Sequence, residues 1–449
     1  MRALLINPWI EDFAAFDLWS KPLGLLKIAY VLKKIGFQVR LIDCLDRFHP
    51  RLKGFLKDRL PRSSIFGSGN YYSEFITKPK VFQDIPRRYK RYGLPRELFR
   101  QLIKEEPIPQ VILVTSGMTY WYPGIIEAVE LLRQRFGSVP IILGGIYARL
   151  CPRHAMKYSG ADLVYNGNDI EEIIKLIAKI IGKQLQYHFS LEEDYFYAYE
   201  LFYSQLGYIT LRTSSGCPFR CTYCGWYLLE EGFHQDDPLK VVNQIEYFYR
   251  KHNIKNFAFY DDALLYNAQN HIVRILTAII KKGIKVNFHT PNGLHIKFIN
   301  PRLARLLKLA GFIQPRLGFE TASNKRQIDS GAKNTNEEFL QAVKYLKEAD
   351  YSPKEIAVNI MIGLPSQSFE EIRESIKFVA DTKVRIYLEE YSPVPHTPEY
   401  LKSGLPEDAD PILHNNSTFN LYRRQDYHKF QELKDWVHKL NNENCYCIS

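Results

Sequence analysis

The sequence predicts two α/β domains in series: a Rossmann-like, doubly wound parallel sheet, then a partial (β/α)6 TIM barrel. Three observations carry this. Short apolar runs alternate with helical periodicity over residues 1–182, the alternation resumes at Leu206 and repeats six times, and a polar, aromatic stretch at 183–205 separates the two. At 449 residues the chain has room for two or three cores. Its 46% hydrophobic and 24% charged content is that of a globular protein. No apolar run approaches the ~18–20 residues that span a bilayer. The opening MRALLINPWIEDF lacks the apolar core and cleavage site of a secretory signal, so the expected compartment is the cytoplasm.

The first domain is expected over 1–182. Ala3 to Ile6 is a short strand ended by Asn7-Pro8. Leu25, Ile28, Ala29, Leu32 and Ile35 then recur at helical spacing until Gly36, and Phe37 to Ile42 forms a second strand closing on Asp43. Residues 47–110 read as an irregular insertion, longer than most loops. Beyond it come a strand at Val111 to Thr115, a helix at Ile125 to Phe136 and a strand at Val139 to Leu143. A short strand at Ala161 to Tyr165 and a helix at Asp169 to Ile181 complete the domain. Ligands of open α/β sheets sit beyond the carboxyl ends of the strands. Those ends carry Thr115-Ser116-Gly117, Gly144-Gly145 and Asn166-Gly167-Asn168, which makes Ser116, Gly144, Gly145 and Gly167 candidate ligand contacts. The aromatic run Met118 to Pro123 reads equally as a packed turn or as a wall over a ligand.

The barrel is expected over 206–400. Its strands are Leu206 to Leu211, Phe257 to Tyr260, Val286 to His289, Arg316 to Phe319, Ile356 to Met361 and Val384 to Glu389. Asp237-Pro238, Asn300-Pro301, Thr335 with Glu338, and Ser368 with Glu371 mark helix starts. Six βα units, not eight, leave the barrel open on one side. Residues 401–449 form a tail with a helix near Asp426 to Leu440.

Straight after the first barrel strand, residues 216–224 read G-C-P-F-R-C-T-Y-C, a C-x3-C-x2-C run of Cys217, Cys221 and Cys224. Thiolates closing on one point suit zinc or an iron–sulfur cluster. A closed zinc site would need a fourth ligand, and the next histidine is His234. Three ligands with one open position fit a cluster with an exchangeable iron better.

This loop resembles that of the radical S-adenosylmethionine (SAM) superfamily, with Tyr223 as the aromatic before the last cysteine. The resemblance implies a 4Fe–4S cluster on Cys217, Cys221 and Cys224, SAM chelated at the open iron, and reductive cleavage of SAM to a 5′-deoxyadenosyl radical. It also assigns the rim of the barrel, where parallel barrels gather their sites. Asp261 or Asp262 would replace the usual acidic element that holds the SAM amino group. Glu320, in Gly318-Phe319-Glu320-Thr321, matches a G-x-E-[ST] element that meets the SAM ribose or amino acid portion. Asn359 and Gly363 belong to a segment ending in Gly363-Leu364-Pro365, whose backbone lines the adenine. At the sixth end His396 stands where the family usually has glycine, and reads as an exposed loop residue.

An α/β domain ahead of such a barrel is similar to the cobalamin-binding-domain class of that superfamily. That likeness implies cobalamin at the strand ends and radical methyl transfer to an unactivated carbon of an unknown substrate. An electron donor such as flavodoxin or ferredoxin would serve the cluster. Two departures stand out: Gly167-Asn168-Asp169-Ile170 replaces an acidic G-E-G-E, and no D-x-H-x-x-G supplies an axial histidine. The alternatives are a cobalamin-free rearrangement or cyclisation and an RNA-binding or RNA-modifying protein. The second would use the basic 86–96 segment of a chain carrying 60 Lys+Arg against 49 Asp+Glu, net +11. The blander reading of that segment is a solvated, mobile connection. Cys44 and Cys151 read as small fillers, and Cys445 and Cys447 as thiols of a frayed end. None supplies the second cluster that sulfur insertion would require.

Overall fold

A parallel ladder runs in unbroken register from Arg2↔Gln38 to Asn7↔Asp43, pairing β1 (Arg2–Asn7) with β2 (Gln38–Asp43). On its other edge β1 pairs with β3 (Val111–Val114), which pairs with β4 (Ile141–Leu143), which pairs with β5 (Leu163–Val164). The resulting order, 2-1-3-4-5, is that of the flavodoxin-like doubly wound sheets. Strands buried on both faces read as continuous apolar runs, which is why Val111 to Val114 and Ile141 to Leu143 carry no polar residue. The core on these strands includes Trp9, Phe99 and Tyr147. The order reverses at β1, so the crevice beyond β1 and β3 is the topological switch point.

The computed structural model describes residues 1–57, 59–185, 197–202, 206–419 and 426–446. The chain divides into two units: residues 1–206 with 408–415, and residues 207–407 with 416–449. Most of the expected connection at 183–205, like Cys447 and the Cys445 side chain, lies outside the described residues.

The insertion at 47–110 is not the irregular segment expected. Lys90–Tyr92 is the central strand of a three-stranded antiparallel ribbon, flanked by Ile10–Asp12 and Ser73–Phe75. The insertion then ends in a helix, Arg96–Glu105, whose Leu98, Phe99, Leu102 and Ile103 enter the core. The apolar period is helical there, but it is diluted by Arg96, Arg100 and Lys104, which mask it.

In the second unit β6 (Ile209–Leu211), β7 (Asn256–Phe259) and β8 (Asn287–His289) form one parallel sheet. β9 (Arg316–Glu320), β10 (Ala357–Ile362) and β11 (Arg385–Glu390) form another. The Phe288↔Phe312 and Leu294↔Leu317 bridges join the two, giving the six-stranded partial barrel. The expected helix starts are all capped. Asp237 accepts from Leu239 and Lys240 N–H, Asn300 from Leu303, Ser368 from Glu371, and Thr335 with Glu338 closes a full capping box. Each such cap is worth about 1 kcal/mol. Aromatic stacking fills the space behind the strands, with Phe319 4.4 Å from Phe339 and Phe259 5.8 Å from Phe312, centroid to centroid.

Period-2 alternation sorts β9 to β11 into two faces. Leu317, Phe319, Val358, Ile360, Ile362 and Ile386 are buried. Arg316, Glu320, Asn359, Tyr387 and Glu389, at the alternate positions, are only partly covered. A polar lining inside an apolar wall is thus written directly in the strand sequences.

Candidate active site

The cysteine loop leaves β6 and is pinned before it reaches its first thiol. Asp261, at the end of β7, takes three hydrogen bonds on one oxygen: from Thr213 N–H (3.0 Å), Thr213 Oγ1 (2.8 Å) and Ser214 Oγ (2.6 Å). Its other oxygen is buried without a partner, and burial pushes its carboxyl up to about 6. Asp261 therefore anchors the loop. Asp262 differs: its Oδ2 is also buried and unpartnered, and burial, offset in part by Arg212, raises it to about 8. Each of the two carboxylates expected to hold the SAM amino group keeps one unspent oxygen, but only Asp262 is free of the loop-anchoring bonds to Thr213 and Ser214.

Between its second and third thiols, the loop is held at Thr222. Thr222 N–H donates to Ser330 O at 3.2 Å, Glu399 N–H donates to Thr222 O at 3.1 Å, and Thr222 Oγ1 donates to Glu399 Oε1 at 3.1 Å. Glu399 sits just past the Thr397 cap, so the rim segment at the sixth strand end clamps the cysteine loop. His396 is exposed and takes φ +67°, the left-handed conformation that the expected glycine would favour.

Among the described residues no three His, Cys, Asp or Glu side chains gather closely enough to share one metal ion. The thiols nevertheless feel one another, Cys217 with Cys221 and Cys224 with both. In a cuboidal cluster each thiolate takes its own iron, so the three need not converge on a single ion. Burial pushes all three thiols up, Cys224 to about 12. Such thiols ionise readily only against a metal, which deprotonates a coordinating thiol outright.

Two residues without a sequence signature of their own stand beside the thiols. Lys333 Nζ donates to Glu320 Oε1 at 3.2 Å, with both side chains largely out of water. Burial works against the ammonium, but Glu320 and the Cys221 and Cys224 thiols outweigh it and raise the Lys333 pKa. His295 places Nε2 4.0 Å from Cys217 Sγ. Neither sits in a recognisable motif. Lys333 follows a turn through Gly331 and Ala332, and His295 lies two residues past the Gly293 turn.

Glu320 itself has φ +72°, and the β9–β10 register slips between Gly318 and Glu320. A bulge there re-aims the side chain at the barrel mouth. Asn359 Oδ1, on the adjacent strand, is buried without a partner, and Gly363 turns at φ +84° one residue past β10. Tyr223 is hydrogen-bonded to Cys221, and burial lifts its phenol well above the ordinary value. Arg316 lies 3.6 Å from Glu389 and over the Tyr387 ring. The fold thus brings Cys217, Cys221, Tyr223, Cys224 and Glu320 into one neighbourhood, with Asp262 close enough to perturb Cys217 and Cys224.

Residues 211–379 match the family model described as the radical SAM superfamily. This stretch is a radical SAM domain. It contains the cysteine loop and four of the six barrel strands in full, with the last residue of the first. Residues of this chain are 25% identical to the anaerobic magnesium-protoporphyrin IX monomethyl ester cyclase of Cereibacter sphaeroides over 186 residues, 41% of this chain and 30% of the cyclase. A similar segment is 25% identical to an uncharacterized methyltransferase of Pyrococcus horikoshii, covering 37% of this chain and 35% of that one. The chain therefore spans about a third of the length of these curated relatives. Among solved structures, the radical SAM methyltransferase TsrM of Kitasatospora setae, with cobalamin and a [4Fe–4S] cluster bound, superposes with a TM-score of 0.63. That match covers 89% of this chain and 76% of TsrM at 15% identity. The cobalamin-dependent SAM radical enzyme OxsB gives a TM-score of 0.57 over 92% of this chain and 56% of OxsB, also at 15% identity. At such identities the likeness is one of fold, and it extends over both units of this chain.

The candidate contacts of the first unit divide by what they touch. Ser116 Oγ donates to Gly144 O at 2.8 Å and accepts from Tyr147 N–H at 3.0 Å. Gly145, at φ +90°, lies so close that a Cβ would fall 2.5 Å from Ser116 O and 2.6 Å from its N. A Cβ on Gly167 would meet the Tyr165 hydroxyl at 2.5 Å. Gly145 is thus required by the fold itself, whereas a Gly167 Cβ would meet only the ends of the Tyr165 and Glu172 side chains. Gly144 is the exception, since its Cβ would meet nothing nearer than Tyr165 O at 3.9 Å. Asp169, the departure from an acidic motif, caps the following helix by accepting from Glu171 and Glu172 N–H. The aromatic run is packed: Trp121 Nε1 donates to Asp12 at 2.9 Å, and Tyr122 stacks on Tyr147 at 5.6 Å.

The basic segment 86–96 includes a strand whose cations are largely paired internally, with Arg88 still exposed. Arg91 is only 12% exposed and paired with Glu11, Glu74 and Glu127, while Arg96 pairs with Glu127. Arg88 and Lys90 lie over the Phe75 ring, and Arg87 over Phe13. Cations spent on internal partners release few phosphate counterions. Cys44 is fully buried just past β2 and Cys151 partly so, as expected of fillers. No helix among the described residues is long and apolar enough to cross a membrane.

Proposed function

We propose that this chain is a cytoplasmic radical SAM enzyme that transfers a methyl group to an unactivated carbon of a small-molecule substrate. Cys217, Cys221 and Cys224 would hold a 4Fe–4S cluster, and the strand ends at the switch point of the first unit a cobalamin. The observation that supports this most is the triad of partly or fully buried, hard-to-ionise thiols on the first barrel loop of a chain whose fold follows TsrM over 89% of its length. When bound, the cluster supplies the electron that cleaves SAM, and cobalamin carries the methyl group.

The chain's own residues bind and orient. Asp262 offers an unspent acceptor to the SAM ammonium, and Asn359 Oδ1 a second to a donor at the barrel mouth. Glu320, aimed by its bulge and held by Lys333, presents a carboxylate to hydroxyl or ammonium groups. Gly363 lets the backbone lie against a flat ring. In the first unit Gly144 leaves the open space that a bulky planar ligand needs. A buried lining keeps water from the reacting atoms.

Anaerobic isolation with iron, sulfide and corrinoid analysis tests the loading. Incubation with SAM, a reductant such as reduced flavodoxin or ferredoxin, and methylcobalamin tests the chemistry. Both 5′-deoxyadenosine and S-adenosylhomocysteine are expected. A colourless, iron-free protein after reconstitution would remove the proposal. A second reading is a cobalamin-free cyclisation or rearrangement, which predicts 5′-deoxyadenosine alone; the cyclase relatives support the cyclisation and say nothing against cobalamin.

A further inference from the structure

His295 is held more rigidly than a loop histidine needs to be. The residue before it is clamped to β9 on both sides: Leu294 N–H donates to Arg316 O at 2.6 Å, and Gly318 N–H donates to Leu294 O at 3.1 Å. The residue after it opens a 3-10 turn, Ile296–Phe298. The imidazole is 5% exposed and stacks on Phe219, at 4.9 Å and an interplanar angle of 22°. Phe219 lies inside the cysteine loop, between Cys217 and Cys221. Ring position and ring plane are thus fixed against the loop itself, and Nε2 points to Cys217 Sγ at 4.0 Å.

The chemistry of the ring then decides where its proton sits. A neutral imidazole carries one N–H, on Nδ1 or on Nε2. Nδ1 is buried with no partner. A proton on Nδ1 would bury an unpaired donor, at a cost of about 1–3 kcal/mol. A proton on Nε2 gives the donor a sulfur acceptor and leaves only a bare lone pair buried.

We propose that His295 is a positioning residue for the metal centre, donating its Nε2–H to the Cys217 sulfur and shifting the cluster potential upward. The proposal rests on Cys217 binding the cluster. A donor to a ligating sulfur draws charge from it and favours the reduced, more negative state. It acts on the thiolate, touches neither SAM nor substrate, and needs no gain or loss of its own proton.

Wild type, His295→Phe and His295→Gln are compared as reconstituted full-length chains. Phenylalanine keeps the stack on Phe219 and removes the donor, whereas glutamine restores an N–H at similar reach. The readout is the midpoint potential of the one-electron cluster couple, followed by EPR in a redox titration without substrate. Removing the donor is expected to lower the reduced-to-oxidised ratio at a fixed solution potential about tenfold, about 59 mV for one electron. Glutamine is expected to recover most of it. In the cluster-free protein, ¹⁵N spectra of His-labelled chain should show the His295 proton on Nε2. A proton on Nδ1, or three loaded proteins titrating together, overturns the proposal alone. Wild type that takes up neither iron nor sulfide overturns the cluster assignment and this proposal with it.

Discussion

Glu320 and Lys333 compensate one another across 3.2 Å, with side chains 15% and 17% exposed. Removing one partner of such a pair strands the other, at about 3–5 kcal/mol for full burial. Residual exposure puts Lys333→Met at the lower end, and Glu320→Gln likewise. The double variant should recover part of the loss, because neither charge is then orphaned. Urea midpoints of the cluster-free proteins measure this, and additive losses would show that the two do not interact. A second residue-scale prediction concerns Asp43, buried at the end of β2 and raised by that burial to about 6. A carboxyl whose folded pKa lies above its unfolded value binds more protons when folded, so its contribution is greatest at low pH. It is lost as the pH rises from about 4 to about 6. Asp43→Asn should therefore gain on wild type across that window, by about 3 kcal/mol at most. A pH-independent difference between the two proteins would exclude that shift.

The paired glycines at the end of β4 make opposite predictions on adjacent residues. Gly145→Ala puts a methyl within 2.8 Å of three Ser116 atoms at φ +90°, and should destabilise the chain by about 2 kcal/mol or more. Gly144→Ala meets no atom closer than 3.9 Å and should leave stability unchanged. If the strand ends hold a corrinoid, that same methyl should weaken its uptake at least several-fold. Corrinoid retention on a desalting column separates the outcomes, and unchanged uptake would move the ligand away from Gly144. Elements like these show what a sequence makes legible. β6 to β11 fell within three residues of expectation because their apolar runs are short, bounded by caps and repeated. The antiparallel ribbon through Lys90–Tyr92 escaped because charged residues paired with carboxylates and rings resemble a solvated loop until their partners are known. The cysteines and Glu320 were legible through local motifs. His295 and Lys333 were not, because what makes them matter is 78 residues of separation from Cys217 in one case and a bulge on another strand in the other.

At the scale of the whole molecule, the residues beyond the barrel are not the single tail expected over 401–449. They serve each unit separately. In the second unit, Asn441 acts as one rung of a ladder on the open edge of β11, accepting from Ile386 N–H at 2.9 Å and donating to Ile386 O at 2.8 Å. An edge strand so covered offers no template for another chain. Asn441→Ala should expose it, and light scattering on mild heating should rise earlier than for wild type. In the first unit, residues 408–415 supply the Asn415 amide to Asp12 Oδ1 at 2.8 Å, and His414 Nδ1 lies 3.1 Å from Thr119 Oγ1. Asp12 also accepts from Trp121, so the aromatic run beside the switch point is fixed partly by residues almost 300 positions later. Burial already pushes the Asp12 carboxyl up, and losing the amide would leave it with less to offset that burial. Hydrogen bonds to charged groups are worth about 1.5–3 kcal/mol. A fragment of residues 1–206 should therefore unfold at lower urea than the same unit does in the intact chain. Asn415→Ala in the full chain should reproduce much of that loss. A fragment as stable as the unit in its parent chain would mean that 408–415 merely rests on a sheet already complete without it.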